Sequence, residues 1–196
     1  MPVLYGKPDL PAMSPLEPSV QGRKHITAQA GDAPPIASYQ NTIPMNYWLM
    51  KSEPDAFGIN DLYNKPNRTE HWDGVRNYQA RNMMRDEMKL GDLVFFYHSN
   101  CEMPGIVGIM EIVKEGYPDF SAFDPDDKHF DPKSDPENPR WIMVDVKYVR
   151  SLSRIISLKE LKDQEQLADL ALVRRGNRLS IMPVTKDQWE FILLME

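Results

Sequence analysis

A chain of 196 residues, 41% hydrophobic and 27% charged, has the composition of a globular domain with room for one ordinary core. A net charge of −6 excludes a protein that coats nucleic acid through a broad basic face, and a single cysteine, Cys101, excludes an internal disulfide framework. No apolar run approaches the roughly 20 residues of a membrane-spanning helix and the N-terminus lacks the order of a signal peptide, so the expected location is the cytoplasm, or the nucleus in a eukaryote.

Residues 1–44 hold eight of the seventeen prolines and no apolar period, which reads as a disordered leader. Met45 opens a different composition, so either the leader is not native and Met45 is the true start, or the leader is a tether. From there the elements alternate. "NYWLMK" reads as a short buried strand, residues 59–64 as a helical turn, and residues 70–72 as a brief extended piece. "VRNYQARNMMRDEM" has Ala80, Met84 and Met88 on one helical face, and Gly91 ends it. "DLVFFYHS" and "GIVGIMEIVKEG" are apolar strands.

Residues 117–139 carry five prolines and many aspartates and read as a long solvated loop. Charge concentrates in the same region: over residues 111–137 nine acidic residues stand against three basic ones, so that stretch alone carries −6 and the rest of the chain balances to zero. A neutral body leaves a specific pocket to supply much of any affinity for nucleic acid. "RWIMVDVKYVRSLSRI" then reads as a long strand and "RLSIMPV" as a short one. Ser157 with Glu160, and Thr185 with Gln188, form capping boxes that open two further helices. Separated strands with helices between them predict an α+β fold, a curved sheet or barrel rather than a parallel stack.

Three polar clusters sit at strand ends or helix starts: "KSEP" (residues 51–54), "WDGVRNYQARN" (residues 72–82) and "FFYHSN" (residues 95–100). Such junctions leave side chains and backbone groups free to converge on a cavity. Trp72 offers a face on which a base can stack, Asp73 an acceptor for a base edge, and Gly74 room for close backbone approach. The same residues also fit a purely structural role, with Trp72 in the core and Asp73 capping a helix. His98 and Cys101 lie three residues apart, as an activated thiolate could require, but no third residue is evident to orient them. His71, His98 and Cys101 lack the paired spacing of a metal site, and residues 124–127 lack that of a calcium loop, so neither metal nor cofactor is expected.

The strings "YWLMKSEP", "WDGVRNYQARN", "FFYHSN", "GIVGIMEIVKE", "PRWIMVDV" and "RLSIMPV", in this order, resemble the EVE domain from about Asn46 to Met195. The resemblance implies a PUA-like curved β-barrel of five or six strands flanked by helices, similar in shape to the YTH domain. It also implies a non-catalytic reader of a modified base in nucleic acid, modified cytosine in DNA foremost, with some bacterial relatives tied to RNA modification. An RNA-binding module is one alternative; the related ASCH group includes hydrolases, which keeps a small hydrolase acting on modified nucleosides as another. On this reading Trp72 is the stacking wall, and Asp73 and Asn77 meet the base edge with backbone groups of Lys51, Ser52 and Val75. Tyr97, His98 and Ser99 line the opposite side, Ser180 closes the pocket, and Arg76, Arg81 and Lys51 contact phosphate. For Arg81 and Arg85 a solvated helix face is the alternative.

Overall fold

The computed structural model describes residues 45–196; the reading of a disordered leader falls on residues outside the described part. Six strands form one mixed sheet. β1 (Tyr47–Ser52) runs parallel to β3 (Leu93–His98) and antiparallel to β6 (Ile181–Val184). The long strands β4 (Gly105–Pro118) and β5 (Ile142–Ser157) pair antiparallel, β3 pairs with β4, and β2 (Thr69–Trp72) lies on β5. The order is therefore β2-β5-β4-β3-β1-β6. Its two edges, β2 and β6, do not pair with each other, so the expected barrel is open along one seam.

Alternation along the inner strands splits the core in two. Trp48 and Met50 of β1, with Val94 and Phe96 of β3, point to one face; Leu49, Phe95 and Tyr97 point to the other. All of these are nearly or wholly buried, which is why both strands read as continuous apolar runs rather than half-polar ones. The first face is covered by α1 (Ile59–Asn64), by α2 (Tyr78–Asn82) and by the π-helical turn Met83–Glu87 that continues α2. The second is covered by α3 (Leu158–Lys162), by the following 3-10 turns and by α4 (Lys186–Leu194). Asp92 is buried between elements and pays its desolvation with three donors: the Asn46 amide (3.0 Å), the Trp48 indole N–H (2.9 Å) and the Lys89 amide (2.9 Å).

Both capping boxes form: the Ser157 hydroxyl accepts from the Glu160 amide at 3.3 Å, and the Thr185 hydroxyl from the Gln188 amide at 3.2 Å. The helix expected over residues 75–88 is shorter. It begins at Tyr78 because Asn77 is its N-cap, the Asn77 side-chain oxygen accepting from the Ala80 amide at 3.1 Å. Ala80, Met84 and Met88 nevertheless share one buried face, as their spacing predicts. The stretch read as a solvated loop departs further from expectation. Tyr117 and Pro118 still belong to β4, and beyond them Asp119, Ser121 and Ala122 are buried. Among the described residues no helix is long and apolar enough to cross a membrane.

Candidate functional site

A cavity of about 400 Å³, within the range of small-ligand sites, opens beside the seam of the sheet. Both edges contribute to it. Lys51 and Ser52 end β1, Glu70, His71 and Trp72 end β2, and Ser180 leads into β6. The Lys51 amide donates to the Ser180 carbonyl at 2.8 Å, fixing that rim. Ala56 and Phe57 add apolar wall; Asp73, Gly74, Val75 and Arg76 continue from β2; Asp127, Lys128 and His129 arrive from the acidic segment.

Trp72 is placed in the core and at the cavity at once. It is 7% exposed and belongs to the first core cluster, and it also lines the cavity. Phe57 and Phe96 meet it edge-on, at ring-centroid distances of 6.2 and 5.3 Å and interplanar angles of 81° and 74°. Among the described residues no aromatic ring lies parallel to it.

The segment after Trp72 fastens the acidic stretch over the pocket. Asp119, fully buried, accepts from the Gly74 amide (3.0 Å), the Arg76 guanidinium (2.7 Å) and the Ser121 hydroxyl (2.6 Å). Burial pushes this carboxyl up, but the hydrogen bonds from Ser121 and Arg76 prevail and hold it below its ordinary value. Arg76 also donates through Nε to the His129 carbonyl at 2.8 Å, and its guanidinium lies 5.4 Å from the Trp141 ring centre. The His129 ring packs directly on Gly74, whose φ of +70° and missing Cβ are both required: a Cβ there would collide with the imidazole.

The expected site residues divide by position. Lys51, Ser52, Trp72, Asp73, Val75, Arg76 and Ser180 come together around the cavity. Asn77 stands outside the lining, its acceptor oxygen engaged in capping α2. Tyr97 points to the opposite face of the sheet, where burial pushes its hydroxyl up to about 12. His98 is outside as well: its Nε2 accepts from the Ile59 amide at 3.2 Å, and burial holds it below the ordinary imidazole range. The Ser99 amide donates to the Ser52 carbonyl at 2.9 Å, so Ser99 braces the pocket strand from behind. Arg81 is turned onto the protein, donating to the Arg140 carbonyl (2.7 Å) and to Asn82 (2.8 Å), while Arg85 pairs with Asp86 on the surface. Reasoning from sequence missed Phe57, Glu70, His71 and the group 127–129. Only the proximity of Glu70 and His71 to Trp72 in the chain offered a signal for any of them.

Among the described residues no hydrogen bond joins Cys101 to His98, and no three His, Cys, Asp or Glu side chains gather as a metal site. Asp73 accepts no hydrogen bond there, the nearest basic atom being His71 Nε2 at 3.9 Å. His71 is turned the other way by Glu70, 2.7 Å from Nδ1, and Glu70 also pairs with Lys65.

An open six-stranded sheet with helices on both faces defines an α+β, PUA-like domain, with a cavity beside the seam of the sheet. Residues 46–195 match the EVE domain, and the chain belongs to that family. It is 51% identical to rat thymocyte nuclear protein 1, covering 77% of this chain and 74% of that protein. Against the human protein of that name the identity is 42%, covering 90% of each. The crystal structure of human THYN1 in complex with DNA containing 5-methylcytosine is 47% identical, with a TM-score of 0.74 over 76% of this chain and 96% of that one. A Pseudomonas syringae protein of known structure is 51% identical, with a TM-score of 0.73, covering 76% and 98%.

Proposed function

We propose that this chain is a non-catalytic reader that takes a modified base of DNA, 5-methylcytosine foremost, into the cavity beside Trp72. The observation that carries the reading is a buried tryptophan that lines a cavity while, among the described residues, no ring lies parallel to it. A flipped base supplies the missing layer, and Phe57 with Val75 and Ala56 gives a 5-methyl group apolar surroundings. The relative crystallised with 5-methylcytosine DNA supports the choice of ligand.

In this reading Asp73, the backbone of Lys51, Ser52 and Val75, and Ser180 meet the base edge. The Lys51 ammonium takes phosphate. Arg76 serves the pocket by holding the acidic segment, and Asn77, Tyr97, His98 and Ser99 support its walls from outside. A hydrolase finds less support, because the His98 nitrogen that would activate Cys101 is occupied by the Ile59 amide. A DNA reader works where DNA is, which in a eukaryotic cell assigns the nucleus.

Binding of the full chain to single-stranded oligonucleotides that differ in one base tests this. Tighter binding to 5-methylcytosine than to cytosine and to N6-methyladenine is expected; equal affinity for all three refutes it. A pocket on a nearly neutral body also predicts a shallow salt dependence, with about 2–4 phosphates neutralised rather than the 6–10 of broad basic surfaces.

A further inference from the structure

Three carboxylates line the cavity, and two of them are engaged. Glu70 holds Lys65 and His71. Asp127 accepts from the His129 amide at 2.7 Å and lies 3.4 Å from His129 Nδ1. Asp73 alone accepts no hydrogen bond among the described residues, although its side chain is only 30% exposed. It lines the same cavity as Trp72, within the reach of one small ligand.

An ionised carboxylate has acceptors only. Across a pyrimidine edge it can receive the exocyclic N4 amino protons of cytosine, a pairing used in direct base readout. The O4 of a uracil-type base offers no proton and would set two oxygen acceptors against each other in a partly dehydrated site. On the reading of the cavity as a base pocket, we propose that Asp73 is the specificity residue that admits 4-amino pyrimidines and rejects their 4-oxo counterparts. Thymine is 5-methyluracil, with the same ring methyl as 5-methylcytosine. Methyl contacts with Phe57 and Trp72 cannot tell the two apart; the polar edge must, and a carboxylate set opposite the 4-position favours the amino group. His71 faces Glu70 through Nδ1 at 2.7 Å, and its Nε2 lies 3.9 Å from Asp73, beyond hydrogen-bond reach, so the Asp73 oxygens keep their acceptor capacity.

The test uses the full chain and single strands identical except for one base: 5-methylcytosine, cytosine, thymine, or 5-methylpyrimidin-2-one, which lacks the 4-amino group. Wild type should favour 5-methylcytosine over thymine and over the pyrimidinone by about 5- to 150-fold, the range of a specific edge contact. Asp73→Asn turns a donor toward O4 as readily as an acceptor toward N4, so its preference over thymine should collapse to within about threefold. Its melting temperature should stay close to the wild-type value, since Asp73 accepts no hydrogen bond among the described residues and its one ionic neighbour, His71, is 3.9 Å away. An Asp73→Asn protein that keeps the wild-type preference overturns the proposal. So does a wild type that binds the pyrimidinone as well as 5-methylcytosine, a result that needs no variant to fold. The 5-methylcytosine to cytosine ratio tests base reading itself and the 5-methylcytosine to thymine ratio tests Asp73, so failure of one is distinguishable from failure of the other.

Discussion

Trp72 and Trp189 are buried alike, at 7% and 4% exposure, on opposite faces of the same sheet. Their neighbours differ. Trp189 stacks on Phe95 at 3.8 Å between ring centres and on Tyr47 at 4.8 Å, with interplanar angles of 22° and 28°. Among the described residues the rings beside Trp72, Phe57 and Phe96, stand nearly perpendicular to it, and Trp72 also lines the cavity. On the second face a tryptophan completes a core; on the first it belongs both to the core and to the wall of a cavity. Burial alone therefore does not separate a structural aromatic from a binding one. On the proposed reading, what separates them is whether the protein itself supplies the parallel layer.

The comparison sets the order of expected effects. Trp189→Ala should cost about 3–5 kcal/mol of stability, the range for deleting a large buried ring. The folded fraction should bind modified DNA as wild type does. Trp72→Ala should destabilise by less than that, because part of its surface lines the cavity rather than the core, but should also weaken base binding by about 1–3 kcal/mol, roughly ten- to a hundredfold. Thermal melts and titrations on the same samples check both; a Trp189→Ala protein that folds but loses the ligand would erase the distinction between the faces.

Gly74→Ala comes next. A side chain at φ +70° against the His129 ring should cost about 1–3 kcal/mol and push residues 127–129 away from the pocket, so affinity should fall with stability. Unaltered binding and melting would mean that this packing does not shape the site.

The smallest effect is acid sensitivity on the second face. Glu160, bonded by Ser157 and Arg154, and Glu196, bonded by Arg150 and Ser153, both titrate at about 2 in the folded chain, below the ordinary 4.5. Their contribution is complete above 4.5 and is lost as pH falls from there toward 2. Both sit at the surface, partly exposed, with arginine partners that are themselves 42% and 43% exposed, so the loss is modest. Glu196→Gln should flatten the acid arm of a stability–pH curve slightly, and a steeper arm would contradict the sign.

Much of this was legible in the sequence because it is local. The strands announced themselves as apolar runs, and Ser157–Glu160 and Thr185–Gln188 lie within one helical turn. Ala80, Met84 and Met88 showed the buried face of a helix even though its first residues were misassigned, since Asn77 is as good a cap as it is a base contact. Tyr97, His98 and Ser99 read as one wall because they are consecutive, whereas a strand sends neighbours to opposite faces: His98 packs on Phe96, 5.5 Å away, while Tyr97 joins the other core. The acidic segment was the least legible. Asp119 finds Gly74 and Arg76 more than forty residues back in the chain, and no local pattern marks one aspartate among many as the buried one.

The central claim is that a base occupies the space beside Trp72. Photocrosslinking of the full chain to a single strand carrying 5-iodocytosine, in which iodine takes the place of the methyl group, reads this contact directly. Mass spectrometry of the crosslinked peptides should locate the adduct on Trp72 or Phe57. An adduct on Tyr63 or Tyr78, the tyrosines that stand 46% and 54% exposed on the surface, would put the base elsewhere and contradict the account.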